Sequence, residues 1–193
     1  MFCFKTTNLY KETINKSKFV CLAFNISNSE EGKEIIKRLH TEYPDASHIC
    51  YAYVFGNNQE DFFYSDDGEP NKTAGLPIYN NMKKYKLSFC MIAIVRYFGG
   101  IKFGVSALKD CFSNLANKLI ELNKLVSVRK VNLFKIEFNY DQIKNNENLF
   151  KKEIVKKEFL DKVIFYIAEN ETNKIILQEN NARLVDKNYL LTK

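Results

Sequence analysis

Two short segments, residues 66–75 (DDGEPNKTAG) and 96–104 (RYFGGIKFG), contain five of the seven glycines in the chain. Together they also carry three carboxylates, one arginine and two lysines. Glycine permits backbone conformations and close approaches that other residues resist. Charged side chains beside such backbone are typical of sites rather than of cores. These two segments therefore limit how the chain can fold and indicate where a functional site would lie.

The length and composition indicate a globular protein with a core of its own. The chain has 193 residues, 46% of them hydrophobic, which fits one large domain or two small ones. No stretch approaches the roughly 18 consecutive apolar residues of a membrane span, and the first residues do not resemble a secretory signal. We therefore expect a cytoplasmic protein without a membrane partner. The five cysteines are widely spaced and form no CxxC pair, which favours reduced core residues.

The first two thirds of the chain alternate between strand and helix patterns. Residues 49–55 and 61–64, separated by a Gly-Asn-Asn turn, predict a hairpin. Residues 89–95 (FCMIAIV) are apolar without alternation, which predicts a strand buried on both faces. The other predicted elements are a strand at residues 18–24, a helix capped by Ser27 or Asn28, and helices at residues 76–85 and 106–122.

The hydrophobic pattern breaks at residues 123–130, and a segment with a different pattern of apolar and polar residues follows. It predicts a strand at 131–138, an asparagine-rich turn at 145–148, a polar helix near 145–152, a strand at 163–168, a helix at 171–180 and a last extended piece. We predict an α+β fold class with two domains, residues 1–125 and residues 130–193. We expect limited proteolysis to cut at the break or in the asparagine-rich turn.

Four stretches in this order resemble the YigZ/IMPACT family, in its bacterial two-domain branch: SKFVCLAF, SHICYAYVFG, SDDGEPNKTAGLPI and AIVRYFGGIKFG. The resemblance covers about residues 10–125. It implies an N-terminal domain with the fold of the second domain of a small-subunit ribosomal protein, and a ferredoxin-like C-terminal domain. It also implies a non-catalytic binding protein, without a cofactor, that acts in translation regulation or RNA or ribosome association. RNA or the ribosome is the expected partner, with a protein partner as the alternative.

Three positions depart from the family pattern. Lys72 stands where the family usually has glycine, and Phe103 stands where it usually has leucine. After Gly104 the chain reads VSALKDCF, whereas most bacterial members continue with a glycine pair. Because glycine lets a phosphate approach a helix N-terminus closely, these changes leave fewer positions for phosphate contact.

The two segments predict a site for an anion such as phosphate. Free amides near residues 73–76 and 104–107 would face the anion at two helix starts. The supporting residues would be Lys72, Arg96, Lys102, Gly99, Gly100, Gly104 and His48. The alternative interpretation is that Arg96 pairs with one of the nearby carboxylates and that the glycines serve tight turns.

The acidic cluster, Asp66, Asp67 and Glu69, admits a second reading. These carboxylates could hold Mg²⁺. The chain would then be a magnesium-dependent enzyme acting on a phosphorylated or nucleotide substrate. No Walker lysine motif, HxH or ExxH accompanies them, and a solvated acidic turn, with aspartate capping its own backbone, explains them better. His48 and Cys50 share one face of a strand, but Cys50 lies in an apolar run where a thiol is unreactive.

The net charge of +6 is compatible with a phosphate-rich partner. In the C-terminal part, lysines cluster near two phenylalanines, Phe150 and Phe159, which could follow a phosphate backbone or form a solvated face. The lysines of this cluster are Lys151, Lys152, Lys156 and Lys157.

Overall fold

The computed structural model describes residues 1–192, apart from the side chain of Asn188. Over these residues the protein is a mixed α/β structure with ten strands and five α-helices. The chain divides into two compact units, one made of Met1–Val128 with Thr192 and the other of Arg129–Leu191. No helix in the described part of the chain combines the length and apolar character that crossing a membrane requires.

The first unit is built on an antiparallel five-stranded sheet. Its strands are β2 (Tyr10–Ile14), β3 (Ser17–Asn25), β4 (His48–Phe55), β5 (Asp61–Ser65) and β6 (Cys90–Tyr97). Their order across the sheet is β2-β3-β6-β4-β5, so β6 lies at the centre. The short strand β1 (Phe2–Phe4) lies outside this sheet and pairs with residues 125–127.

Helices cover both faces of this sheet: α1 (Ser29–Glu42), α2 (Gly75–Lys84) and α3 (Val105–Leu122). On one face, α2 and α3 pack against the alternate strand residues Phe19, Cys21, Ala23, Cys50, Ala52, Val54, Cys90, Ile92 and Ile94. On the other face, α1 contacts Tyr53 through Gly32 and Phe24 through Arg38. Every residue of β6 before Tyr97 is buried, which confirms the prediction of a strand buried on both faces.

The start of α1 shows how local sequence fixes an element. The Asn28 side chain accepts a hydrogen bond from the Glu31 amide at 2.9 Å, and Glu31 in turn accepts one from the Ser27 amide at 2.8 Å. One first-turn amide that a helix start leaves without an acceptor is satisfied in this way, and the amide just before the cap is bound as well. Asn28 is therefore the cap, and the helix buries Ile35 and Leu39 against the sheet.

The second unit has its own sheet and core. Its elements in chain order are β7 (Leu125–Phe138, which begins in the first unit), α4 (Ile143–Phe150), β8 (Ile154–Phe159), β9 (Val163–Ala168), α5 (Lys174–Glu179) and β10 (Arg183–Thr192). The strand order is β10-β7-β9-β8. The core contains Ile136, Phe138, Phe150, Val163, Phe165, Ile167 and Leu177. Phe138 and Phe165 meet edge to face, with ring centroids 4.7 Å apart.

The polar helix predicted near residues 145–152 is confirmed as α4, but two details predicted for this part of the chain are wrong. The asparagine-rich turn predicted at residues 145–148 lies inside helix α4, because these polar residues occupy its outer side while Phe150 enters the core. The strand predicted at 131–138 begins earlier, at Leu125, and therefore runs through most of the pattern break at residues 123–130. Strands β1, β2 and β8 are additional to the predicted elements. The predicted domains, residues 1–125 and 130–193, stay a prediction about independent folding.

Candidate functional site

Arg96 lies at the end of β6, buried beneath the charged loop. Its Nη1 donates to Glu69 Oε1 at 2.5 Å, and its exposed fraction is 4% against 8% for Glu69. Its Nη2 lies 3.5 Å from the hydroxyl of Ser17, which is fully buried. Of the two roles considered for Arg96, the structure shows the pairing with a carboxylate.

Aromatic rings surround the Arg96 guanidinium. Its central carbon lies 5.7 Å from the ring centroid of Phe19, 5.6 Å from that of Phe98 and 5.0 Å from that of Phe103. Rings at such distances attract a cation through their negative faces, most strongly where water is excluded. Phe103, one of the departures from the family pattern, therefore has a packing role over Arg96. The guanidinium is enclosed and does not present its donors to an external anion.

Asp66 occupies the start of helix α2. Its Oδ1 accepts from the amides of Ala74 and Gly75, both at 2.9 Å, and its Oδ2 accepts from the amide of Lys72 at 2.7 Å. The Thr73 amide donates to the Pro70 carbonyl at 3.1 Å. The expectation of free amides at residues 73–76 is therefore wrong for these groups, because a carboxylate of the same loop is the anion that they bind.

Replacing Asp66 by alanine should destabilise the fold by about 2 kcal/mol, at the upper end for loss of a helix cap. Three amides would lose their acceptor, and two of them belong to the buried residues Ala74 and Gly75. Urea denaturation would measure the change. Asp66→Asn is the matched control, since it keeps one acceptor oxygen and should lose less. Equal stability of Asp66→Ala and the wild type would contradict this role.

The first residues of β4 hold the turn at Asp66 and Asp67. The Ile49 amide donates to Asp67 Oδ2 at 2.6 Å, and the Cys50 thiol donates to the Asp66 carbonyl at 3.1 Å. His48 Nδ1 lies 2.7 Å from the Asp67 carbonyl, which can only accept, so Nδ1 carries the proton. His48 Nε2 lies 3.8 Å from Glu69 Oε1. His48 and Cys50 therefore bind the loop rather than each other.

These contacts give no support to a magnesium site. Asp66 binds three amides, Asp67 binds one amide, and Glu69 binds Arg96. Across residues 1–192, no group of three or more histidine, cysteine, aspartate or glutamate side chains is arranged to hold a metal ion. The acidic cluster is directed into the protein, where it fixes the loop to the sheet and to helix α2.

The cysteines are buried, and none of them is activated as a nucleophile. Burial raises the pKa of Cys21 to about 12 and that of Cys111 to about 11. Burial also raises the pKa of Cys50, and the nearby carboxylates Glu69, Asp67 and Asp66 raise it further. A thiol with a raised pKa is a poor nucleophile. Cys50 is therefore a core residue.

The glycines of the second segment serve different purposes. A Cβ on Gly99 would lie 2.0 Å from the backbone carbon of Lys16 and 2.4 Å from the amide nitrogen of Ser17. Gly75 of the first segment has a similar role, because its Cβ would lie 2.6 Å from the Ser65 carbonyl oxygen. Gly100 has a φ of +84°, in the region that favours glycine, and has open space around it. Gly104 has an ordinary φ of −68° and no neighbour within 4 Å.

Gly104 precedes helix α3, whose start carries no side-chain cap. The first-turn amides of Val105, Ser106 and Ala107 have no acceptor in the described chain, and all three residues are exposed. Lys102 is exposed beside them, whereas the exposed Lys72 follows the acidic residues in the other loop. The backbone φ of Lys72 is +61°, which accounts physically for the glycine that the family usually has there.

Two of the four lysines in the cluster of the second unit pair with acidic side chains. Lys156 pairs with Glu158, with 2.5 Å between Nζ and Oε1, and Lys157 pairs with Glu147. Arg129, at the entrance to this unit, lies 3.7 Å from Glu153. These pairs favour the interpretation of a solvated face over that of a phosphate-binding surface.

Comparison with known proteins connects this architecture to a family. The model of the Impact N-terminal domain matches residues 15–120. The IMPACT family member YvyE of Bacillus subtilis (strain 168) is 30% identical over 181 residues, which cover 89% of this chain and 82% of that protein. The IMPACT family member YigZ of Escherichia coli (strain K12) is 31% identical over 142 residues, covering 72% of this chain and 69% of that protein.

Among solved structures, a crystal structure of a hypothetical protein matches with a TM-score of 0.67 and 22% identity over 95% of each chain. This likeness supports the fold alone. Both charged segments lie inside the range that the Impact N-terminal model matches, which is more than half of the chain. The resemblance predicted from these segments is therefore confirmed, and the chain belongs to the IMPACT family.

Proposed function

We propose that this chain is a non-catalytic binding protein that acts in translation regulation through association with RNA or the ribosome. Membership of the IMPACT family supports the proposal through the role that the family resemblance implies. The observation that carries the non-catalytic part is the closed network of the charged loop. Its carboxylates bind Arg96 and backbone amides, so they serve the scaffold rather than a substrate.

The surface chemistry agrees with a phosphate-rich partner. The chain has a net charge of +6, and several lysines of the first unit, including Lys72 and Lys102, are exposed without an acidic partner in the described chain. Such lysines attract phosphate groups through a sequence-independent electrostatic term. We also propose that the units have the two folds implied by the family resemblance. The second unit supports this with its βαββαβ element order and its strand order β10-β7-β9-β8, in which β9 is antiparallel to both β7 and β8.

Co-sedimentation of the purified protein with purified ribosomes, or with extracted ribosomal RNA, tests the function. We expect binding that weakens steeply between low and physiological salt, because each neutralised phosphate releases a counterion. An excess of an acidic protein should not prevent the binding if phosphate is the ligand. Absence of binding to both ribosomes and RNA at low salt would overturn the proposal. Binding that is independent of salt would identify a protein partner instead.

A further inference from the structure

A pocket of about 720 Å³ lies on the first unit, on the sheet face opposite helices α2 and α3. Phe19 and Arg96 point towards those helices, so their strand neighbours Lys18 and Tyr97 point to the other face. We call this pocket the hairpin groove, since the β2–β3 hairpin forms one of its walls. The side chains that define it are Lys11, Lys16, Lys18, Tyr43, Tyr97 and Phe98.

Strand pairing brings a lysine side chain and a tyrosine ring together in the hairpin groove. Thr13 pairs with Lys18, and Lys18 pairs with Tyr97, so the three residues form one row across β2, β3 and β6. Lys11 lies one row further along, opposite Val20. Directly opposite residues on one face of a sheet are close enough for their side chains to contact the same ligand.

The hairpin groove is positively charged. Lys11, Lys16 and Lys18 are exposed, and none of them pairs with an acidic side chain of the described chain. Glu12 also borders the pocket, but both of its carboxylate oxygens lie 2.8 Å from Lys118 Nζ on the α3 side. Glu42 is the acidic neighbour of Tyr43 at the end of α1. The three lysines therefore exceed the acidic groups at this surface.

Aromatic rings form the remaining wall. Tyr43 caps the end of α1 and Tyr97 ends β6; both side chains are partly exposed. Burial raises the pKa of the Tyr43 hydroxyl, and Glu42 and Tyr97 raise it further, so the ring stays neutral at physiological pH. Phe98 exposes 46% of its surface, and Arg96 lies against its ring. Rings of this kind stack on the flat faces of bases.

We propose that the hairpin groove binds single-stranded RNA, with bases against the tyrosine rings and phosphates at the lysines. This inference rests on the proposed function and names the surface that performs it. A single strand is favoured over a duplex, because the bases of a duplex are already stacked on each other. A strand is favoured over a free nucleotide, because Lys11 lies about 10 Å along the hairpin from the turn that carries Lys16.

Fluorescence anisotropy with a labelled single-stranded RNA of about ten nucleotides tests the charged half of the groove. For the full-length Lys11→Ala/Lys18→Ala variant, we expect the slope of log K against log salt to become shallower by about 1.4, the value for two lost phosphate contacts on a single strand. The matched control is Lys83→Ala/Lys109→Ala, which removes the same charge from exposed positions on α2 and α3. This control should leave the slope nearly unchanged.

A pair of variants at Tyr97 tests the stacking. Tyr97→Leu should weaken binding of the strand about tenfold or more, whereas Tyr97→Phe keeps the ring and should bind nearly as the wild type does. Thermal melts of both variants would show that the fold is retained. Equal binding by the leucine and phenylalanine variants would overturn the stacking role.

Three unlabelled ligands, tested as competitors of the RNA strand, would show whether the hairpin groove binds something else. Adenosine monophosphate that competes as well as the strand would make the groove a site for a single nucleotide. If duplex RNA competes as well as the single strand, the groove contacts phosphates only and no bases stack on its rings. If poly-glutamate competes equally, the partner is an acidic protein. Each of these results overturns the proposal. Ribosome binding that persists in the groove variants also overturns it while the proposed function stands, whereas a wild type that binds neither RNA nor ribosomes removes both.

Discussion

Arg96→Ala should destabilise the first unit by about 3–5 kcal/mol, the usual loss when one partner of a buried ion pair is removed. The reason is the carboxylate that remains. Glu69 is only 8% exposed, and its Oε1 would lose the guanidinium that now lies 2.5 Å away. His48 Nε2, at 3.8 Å, is too distant to replace the guanidinium fully. Chemical denaturation of wild type and variant would measure the loss.

The double variant Arg96→Leu/Glu69→Leu shows how much of the lost stability comes from leaving Glu69 buried without a partner. Replacing both members of a buried pair by apolar residues is often neutral or stabilising, so this variant should recover much of the stability that Arg96→Ala loses. Lys102→Ala is the control for charge alone, because Lys102 is exposed on the same segment and should change stability by less than about 0.5 kcal/mol. If Arg96→Ala is as stable as the wild type, the ion pair between Arg96 and Glu69 does not stabilise the fold.

The sequence predicted the centre of the first unit well, because hydrophobic pattern and turn chemistry there agree. The run FCMIAIV identified β6, and the Gly-Asn-Asn turn between two strand-like runs identified the β4–β5 hairpin. Strand β2 escaped prediction for a physical reason. Its residues are largely polar, and its turn at Asn15 and Lys16 has φ values of 46° and 64° without any glycine to mark it.

The partner of Arg96 could not be read from the sequence, since three carboxylates stood equally near in the chain. Loop geometry decides between them. The amides at the start of α2 donate hydrogen bonds to Asp66, and the Ile49 amide donates one to Asp67. Glu69 is the remaining carboxylate, and it accepts the hydrogen bond from the guanidinium. The hairpin groove could not be predicted from the sequence either, because Lys18 and Tyr97 become neighbours only through the pairing of β3 with β6.

Gly99→Ala should destabilise the protein by about 3 kcal/mol or more, at the upper end for overpacking, because the new methyl group has no room. It would lie 2.0 Å from the backbone carbon of Lys16, and the β2–β3 turn would have to move away from the end of β6. This movement would also break the hydrogen bond from the Gly99 amide to the Ser17 hydroxyl, now 3.2 Å long. Thermal and urea unfolding would measure the effect.

The neighbouring glycines give a graded set of controls for Gly99→Ala. Gly100→Ala should lose about 1 kcal/mol through its positive φ alone, since nothing lies within 4 Å of the added atom. Gly104→Ala meets neither obstacle and should lose only about 0.5 kcal/mol, because alanine is a poorer helix N-cap than glycine. If all three variants lost the same stability, the close approach at Gly99 would not explain that glycine. If only Gly99→Ala unfolds readily, the glycine that follows Tyr97 and Phe98 is required because it lets the lysine-bearing turn approach β6.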